Sequence, residues 1–266
     1  MEHVISADGT TIAYERIGRG PSLILIDGAL CSRKFGPMPK LAPLLAGDFT
    51  VYMYDRRGRG ASTDTRPYSR EREIEDVAAL IRQAGGSAFL VGLSSGGALA
   101  LEAAASGLSV PAIAVYEAPY MVGDAAHHSR AGHEAKLRQL IEDDQRGAAV
   151  RYFLRDMVEV PAAFVVLMQL MPWMWPKLKA VAHTLPYDAA VMQNFSLPVQ
   201  RLAGIGVPAL IMNGGNSDQR LRDAALAIAQ AVPHARHRTL AGQTHNVSMS
   251  VLAPELVEFF SIHCSA

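Results

Sequence analysis

The chain reads as an α/β protein built on a mostly parallel sheet, and three observations predict it. Short apolar runs recur along the 266 residues, each closed by small or polar residues. Stretches with helical periodicity separate them. Half of the residues are hydrophobic, enough at this length to bury the core of one sizeable domain.

The first stretch, His3–Ile17, alternates around Asp8-Gly9, a strong turn pair, and predicts a hairpin. The runs that follow are Ser22–Ile26, Thr50–Tyr54, Ala88–Gly92, Ala112–Tyr116 and Ala209–Met212. Continuous apolar runs of this length suit strands buried on both faces of a parallel sheet. The intervening Glu71–Ala84, Gly96–Ala105 and Asp223–Val232 carry helical patterns, and Arg236–Leu240 is a last strand-like run before a final helix. Strand-helix alternation of this kind defines an α/β fold.

The rhythm breaks between about Met121 and Arg201. This stretch is helical in pattern, holds both tryptophans, and contains no good strand. It leaves the sheet after the sixth strand and returns before the next, at the edge where open parallel sheets bind ligands. The division is therefore a core of residues 1–120 and 201–266 with a helical cap of residues 121–200. The alternative is a helical extension that enlarges the core.

Composition excludes several function classes. Lys plus Arg and Asp plus Glu number 25 each, so nothing favours a polyanion and nucleic acid is not an expected partner. Cys31 and Cys264 make no disulfide framework, and the opening Met-Glu-His-Val-Ile-Ser-Ala-Asp-Gly lacks the pattern of a signal peptide, so a cytoplasmic location is expected. The apolar run Val160–Trp175 is interrupted by Gln169 and Pro172 and is shorter than the ~20 residues of a spanning helix. It reads as a buried or substrate-facing helix, with peripheral membrane contact as the lesser alternative.

Gly92-Leu93-Ser94-Ser95-Gly96 fits G-x-S-x-G, between the strand-like Ala88–Val91 and the helix-like Gly97–Glu102. Strand, tight turn and helix are the context that gives the motif weight: the turn strains the serine backbone, so its neighbours must be small. The helix then starts beside Oγ and offers free N–H groups to developing negative charge. Together with Asp55-Arg56-Arg57-Gly58-Arg59-Gly60-Ala61-Ser62, similar to a D-x-R-G-x-G-x-S signature, the chain resembles the α/β-hydrolase superfamily over essentially its full length. That signature is mainly structural, so Asp55 and Arg57 are given no catalytic part. A phosphate loop is excluded by the missing Lys-Ser/Thr ending.

The resemblance implies Ser94 as nucleophile, and a serine needs a base. His245, in Gly242-Gln243-Thr244-His245-Asn246, follows the last strand where the superfamily carries its catalytic histidine. His127, His128 and His133 read as a solvated face of the cap rather than a metal site. The oxyanion donors implied are the N–H of Ser95 and that of Ala29, with Gly28 shaping the turn. Here Asp27-Gly28-Ala29 stands where the family commonly has His-Gly-x, and no role is apparent for Asp27.

Two acids compete. The family usually has G-x-x-D after the strand Ala209–Met212, whereas Gly214-Gly215-Asn216-Ser217 puts serine there and Asp218 one position late. Glu117, in Tyr116-Glu117-Ala118-Pro119, ends the strand after the nucleophile helix, a position resembling the acid of haloalkane dehalogenases and zearalenone-type lactonases. A carboxylate closing an apolar strand is costly to bury without a partner, and His245 would be that partner. Glu117 is therefore preferred and Asp218 kept as the alternative.

The function implied is a serine esterase or lactonase acting on a small, hydrophobic molecule, with no cofactor and no metal. A serine nucleophile argues against dehalogenation. The rivals are a cofactor-free haloperoxidase-like or C–C-bond hydrolase and a non-catalytic small-molecule receptor. Phe164, Leu167, Met168, Leu170, Met171, Trp173, Met174 and Trp175 exceed what one helix face buries, so some should line the pocket. Packing within the cap, or between caps of a homodimer, is the alternative.

Overall fold

A computed structural model describes residues 1–123 and 132–264. Eight strands form one sheet in the order β1-β2-β4-β3-β5-β6-β7-β8. β1 (Glu2–Ile5) and β2 (Thr11–Gly18) make the antiparallel hairpin, turned at Gly9 with φ +84°. β2 also pairs antiparallel with β4 (Thr50–Tyr54). β3 (Ser22–Ile26), β4, β5 (Phe89–Leu93), β6 (Ile113–Tyr116), β7 (Ala209–Gly214) and β8 (Ala235–Leu240) run parallel, so their carboxyl ends share one edge.

The apolar strands feed two cores because successive side chains point to opposite faces. Ile24, Ile26, Leu90, Ile113, Val115 and Ile211 join one cluster, while Leu23, Leu25, Phe89, Val91, Ala114 and Met212 join the other. The second face is closed by α1 (Met38–Leu45) and α11 (Met249–Ser261), with Phe260 tilted against Phe89 at 4.8 Å between ring centroids. The first face is covered by α2 (Arg70–Gln83), α3 (Ser95–Ala105) and α10 (Gln219–Ala231).

α1 has no clear helical signature because Pro39 and Pro43 interrupt it. Pro39 costs little in the first turn, and burial of Met38, Leu41 and Leu45 holds the rest. α10 starts ahead of its apolar pattern because Asp218 caps it, its carboxylate accepting the Arg220 N–H at 2.9 Å.

Between β6 and β7 the described elements are helical. They are α4 (His133–Glu142), α5 (Arg146–Tyr152), a π-helical turn (Phe153–Met157), α6 (Ala162–Gln169), α7 (Trp175–Ala180), a 3-10 turn (Ala182–Thr184), α8 (Leu185–Val191) and α9 (Val199–Leu202). Leu137, Val150, Phe153, Leu178, Leu185 and Val191 continue the cluster on the α2/α3 face rather than forming one of their own. The insert therefore shares the core of the sheet domain. No helix among the described residues is long and apolar enough to cross a membrane.

The large apolar side chains of the 164–175 run divide between surface and core. Phe164, Leu167, Leu170 and Trp173 are exposed, Leu170 to 74% and Trp173 to 65%. Met168, Met174 and Trp175 instead pack against the core cluster, Trp175 beside Gly147 of α5. The run is broken by Pro172 into two short helices, and each buries one side and leaves the other open.

Candidate active site

Ser94 sits between β5 and α3 with φ +55° and ψ −127°, a region in which an L residue costs about 1–3 kcal/mol. The neighbouring glycines make the turn sterically feasible. A Cβ on Gly92 would lie 2.3 Å from the Gly96 carbonyl oxygen, and one on Gly96 would lie 2.2 Å from the Ile26 carbonyl oxygen. Both partners are backbone, so neither position accepts a side chain. The Ser94 N–H donates to the Tyr116 carbonyl at 3.0 Å, fixing the turn to the end of β6.

His245 and Glu117 meet at that edge. His245 Nδ1 lies 2.8 Å from Glu117 Oε2, and the Gly214 N–H donates to Glu117 Oε1 at 2.7 Å. Glu117 is fully buried, with φ +48° and its own N–H donating to the Met212 carbonyl at 3.0 Å. Each carboxylate oxygen thus has a partner, which is what burying the charge requires. The Tyr116 hydroxyl donates to the Thr244 carbonyl at 2.6 Å and so ties down the loop carrying His245.

Asp218 lies elsewhere. It is exposed, caps α10 and pairs with Arg220, whose hydrogen bond holds the carboxyl below its ordinary range; Arg220 in turn pairs with Glu159 of the insert. Ser217, at the position of the family's usual aspartate, is buried against Gly214. The acid beside His245 thus stands at the end of β6, and the neighbouring β7 contributes backbone partners to it, the Met212 carbonyl and the Gly214 N–H.

The oxyanion candidates stand on the other side of Ser94. A Cβ on Gly28 would lie 3.1 Å from Ser94 Cβ and 3.7 Å from its Oγ, so the Gly28–Ala29 peptide runs alongside the nucleophile. Ser95 opens α3, where the first N–H groups have no intrahelical acceptor. Among the described residues the Ala29 N–H finds no acceptor either.

Beneath this loop lies a buried ionic network that the motif alone does not disclose. Arg56 donates bidentately to Glu73 at 2.6 and 2.7 Å and to Asp188 at 2.8 Å. Arg59 donates to Asp188 at 2.7 Å, and Arg57 pairs with Asp76 at 2.7 and 2.8 Å. Asp55 accepts the Arg33 N–H at 2.7 Å and the Ala61 N–H at 2.9 Å, a structural part as expected. Asp188 comes from α8 in the insert, and no short motif marks it. Its only local signal is a lone carboxylate in an otherwise apolar helix.

Asp27 is the surplus carboxyl here. Arg56 and Arg59 already balance Glu73 and Asp188, and Asp27 Oδ1 is buried without a hydrogen-bond partner. Burial pushes its pKa up to about 8, against the pull of Arg59 and Arg56. Burial thus favours the protonated, neutral form of Asp27.

His133 is half-buried, its Nδ1 2.8 Å from the Tyr152 hydroxyl, and burial lowers its pKa. His127 and His128 lie outside the described residues. No group of three or more potential metal ligands occurs among the described residues.

The sequence profile of the alpha/beta hydrolase family matches residues 27–258. The chain is 49% identical to an alpha/beta hydrolase from Sphaerobacter thermophilus, whose crystal structure superposes with a TM-score of 0.90 over 97% of this chain and all of that one. It is 30% identical over 235 residues, 86% of this chain and 89% of the relative, to a pimeloyl-[acyl-carrier protein] methyl ester esterase of Xanthomonas campestris. An enol-lactonase from Burkholderia xenovorans shares the fold, with a TM-score of 0.69 at 19% identity over 98% and 100% of the two chains.

Proposed function

The chain belongs to the alpha/beta hydrolase family, and from that premise we propose a serine hydrolase cleaving a carboxylic ester or lactone of a small hydrophobic molecule. The observation that carries the reading is the 2.8 Å contact of His245 with the buried Glu117, at the same sheet edge as the strained Ser94 turn. The Xanthomonas relative is named for a methyl ester substrate, which agrees with ester chemistry.

Ser94 Oγ attacks the carbonyl carbon while His245 Nε2 takes its proton. Glu117 holds the Nδ1–H tautomer and stabilises the imidazolium as it forms. The N–H groups of Ala29 and Ser95 stabilise the charge that develops on the carbonyl oxygen, with Gly28 keeping the loop close. His245 then protonates the departing alkoxide, leaving an acyl group on Ser94. Water, deprotonated by the same histidine, attacks that acyl group and regenerates the serine.

In this reading the described part of the insert, residues 132–200, acts as a cap over this edge. Two unpaired cysteines agree with a cytoplasmic setting. The test is a panel of p-nitrophenyl acetate, butyrate and octanoate with an aryl lactone, using wild type and Ser94→Ala. The reading expects turnover by wild type and a loss of at least ~10³-fold in kcat for the variant. No turnover of any ester or lactone, or equal turnover by both proteins, overturns it.

A further inference from the structure

Asp188 belongs to the insert, yet its side chain reaches both halves of the candidate oxyanion hole. Its Oδ1 accepts the Ser95 hydroxyl at 2.8 Å, and so binds the residue whose N–H is one donor. Its Oδ2 accepts from Arg59 at 2.7 Å, and Arg59 donates a second hydrogen bond to the Gly28 carbonyl at 2.7 Å. Arg56 repeats the pattern more loosely, linking Asp188 at 2.8 Å to the Asp27 carbonyl at 3.3 Å.

The consequence follows from peptide geometry. In a trans peptide the C=O and the next N–H point in opposite directions. Arg59 draws the Gly28 carbonyl toward the buried network, so the Ala29 N–H of the same peptide points away from it. Asp188 is fully buried, and although burial pushes its pKa up, Arg59 and Arg56 hold it below the ordinary range. Pairing with the two arginines thus favours the charged carboxylate that anchors them.

We infer that Asp188 is a positioning residue that, through Ser95 and Arg59, sets the direction of both oxyanion donors and makes the inserted segment part of the catalytic apparatus. The inference rests on the serine-hydrolase reading above. It differs from a packing role because it concerns the geometry of charge stabilisation, which acts in the transition state more than in the bound ester.

The test uses an aryl trifluoromethyl ketone, whose carbonyl becomes an oxyanion when Ser94 adds to it. Tight inhibition of wild type that disappears in Ser94→Ala establishes the probe, and its absence speaks against the serine reading rather than against Asp188. For Asp188→Asn the expected result is a folded protein with KM for the ester within threefold of wild type. Its kcat and its affinity for the ketone should both fall at least ~10-fold, a fraction of the ~10²–10³ lost when a whole donor is removed. Removing a buried charge can also unfold the chain, so Arg59→Lys carries the same comparison. It keeps the charge opposite Asp188, but a single ammonium cannot hold both Asp188 and the Gly28 carbonyl in Arg59's geometry. Parallel loss of kcat and ketone affinity in the folded variants supports the inference. Ketone affinity within threefold of wild type, whatever happens to kcat, overturns it.

Discussion

Glu117→Gln changes one atom of the candidate site and leaves its shape nearly intact, so its effect can be worked from the hydrogen bonds. In wild type both carboxylate oxygens accept, one from the Gly214 N–H at 2.7 Å and one from His245 Nδ1 at 2.8 Å. A glutamine has a single side-chain oxygen. Turning its NH2 toward Gly214 would oppose two donors at a buried site, so the oxygen stays with Gly214 and the NH2 faces His245. Nδ1 must then accept, the ring proton moves to Nε2, and the histidine is in the tautomer that cannot take the proton from Ser94. The lost charge adds to this. At about 4 Å between charge centres and an effective dielectric of ~20, the imidazolium loses roughly 4 kcal/mol, or about 10³-fold in rate. Both effects together predict a fall of ~10³–10⁴ in kcat, the size seen when an aspartate is replaced by asparagine in a comparable triad. The assay is steady-state hydrolysis of p-nitrophenyl butyrate, with circular dichroism to check folding, beside Asp218→Asn. The latter should stay within twofold, because Asp218 serves α10 and not His245. A folded Glu117→Gln within tenfold of wild type, or a larger loss from Asp218→Asn, refutes the reasoning.

Further outcomes follow from the surroundings. Gly28→Ala places a methyl 3.1 Å from Ser94 Cβ and 3.2 Å from the Leu93 carbonyl; kcat should fall at least ~10-fold while stability drops by no more than ~1–3 kcal/mol in thermal melts. Asp27, with its pKa raised to about 8, keeps in the native state a proton that the unfolded chain releases near pH 4. Its contribution to stability is full below pH 4 and is lost as pH rises to about 8, at ~1.4 kcal/mol per pH unit. Asp27→Asn should remove that slope, seen as wild type losing roughly 2–3 kcal/mol more than the variant between pH 5 and pH 7 in urea titrations. Trp173→Ala should leave the melting temperature within a degree or two, because the side chain is exposed, whereas Trp175→Ala should cost about half of the ~3–5 kcal/mol of a fully buried aromatic.

Legibility in the sequence varied with how local the cause is. Ser22–Ile26 and Thr50–Tyr54 agree with the observed strands to the residue, because a strand buried on both faces writes itself as an uninterrupted apolar run. The Ser94 turn is legible as a local motif, since Gly92 is demanded by the Gly96 carbonyl four residues on, whereas Gly96 is demanded by the Ile26 carbonyl of the distant β3. The preference for Glu117 over Asp218 rests on the cost of burying a carboxylate at a strand end; Glu117 lies 2.8 Å from His245 Nδ1, and Asp218 is exposed at the start of α10. α1 was hidden because buried Met38, Leu41 and Leu45 override its prolines, a tertiary effect. The exposure of Phe164 and Trp173 is not legible in the run, because hydrophobicity alone does not say which side of a short helix meets the core. Asp188 was missed for the same reason of distance: its partners Arg56 and Arg59 lie more than a hundred residues away, and neither pattern nor spacing joins them.

The central claim is that Ser94 is the nucleophile and His245 its base. It is tested most directly by treating the protein with a fluorophosphonate and locating the adduct by intact-mass and peptide mass spectrometry. One adduct per chain on Ser94 is predicted, absent in Ser94→Ala and formed at least ~10²-fold more slowly in His245→Ala. An adduct on another residue, or a labelling rate indifferent to His245→Ala, would contradict it.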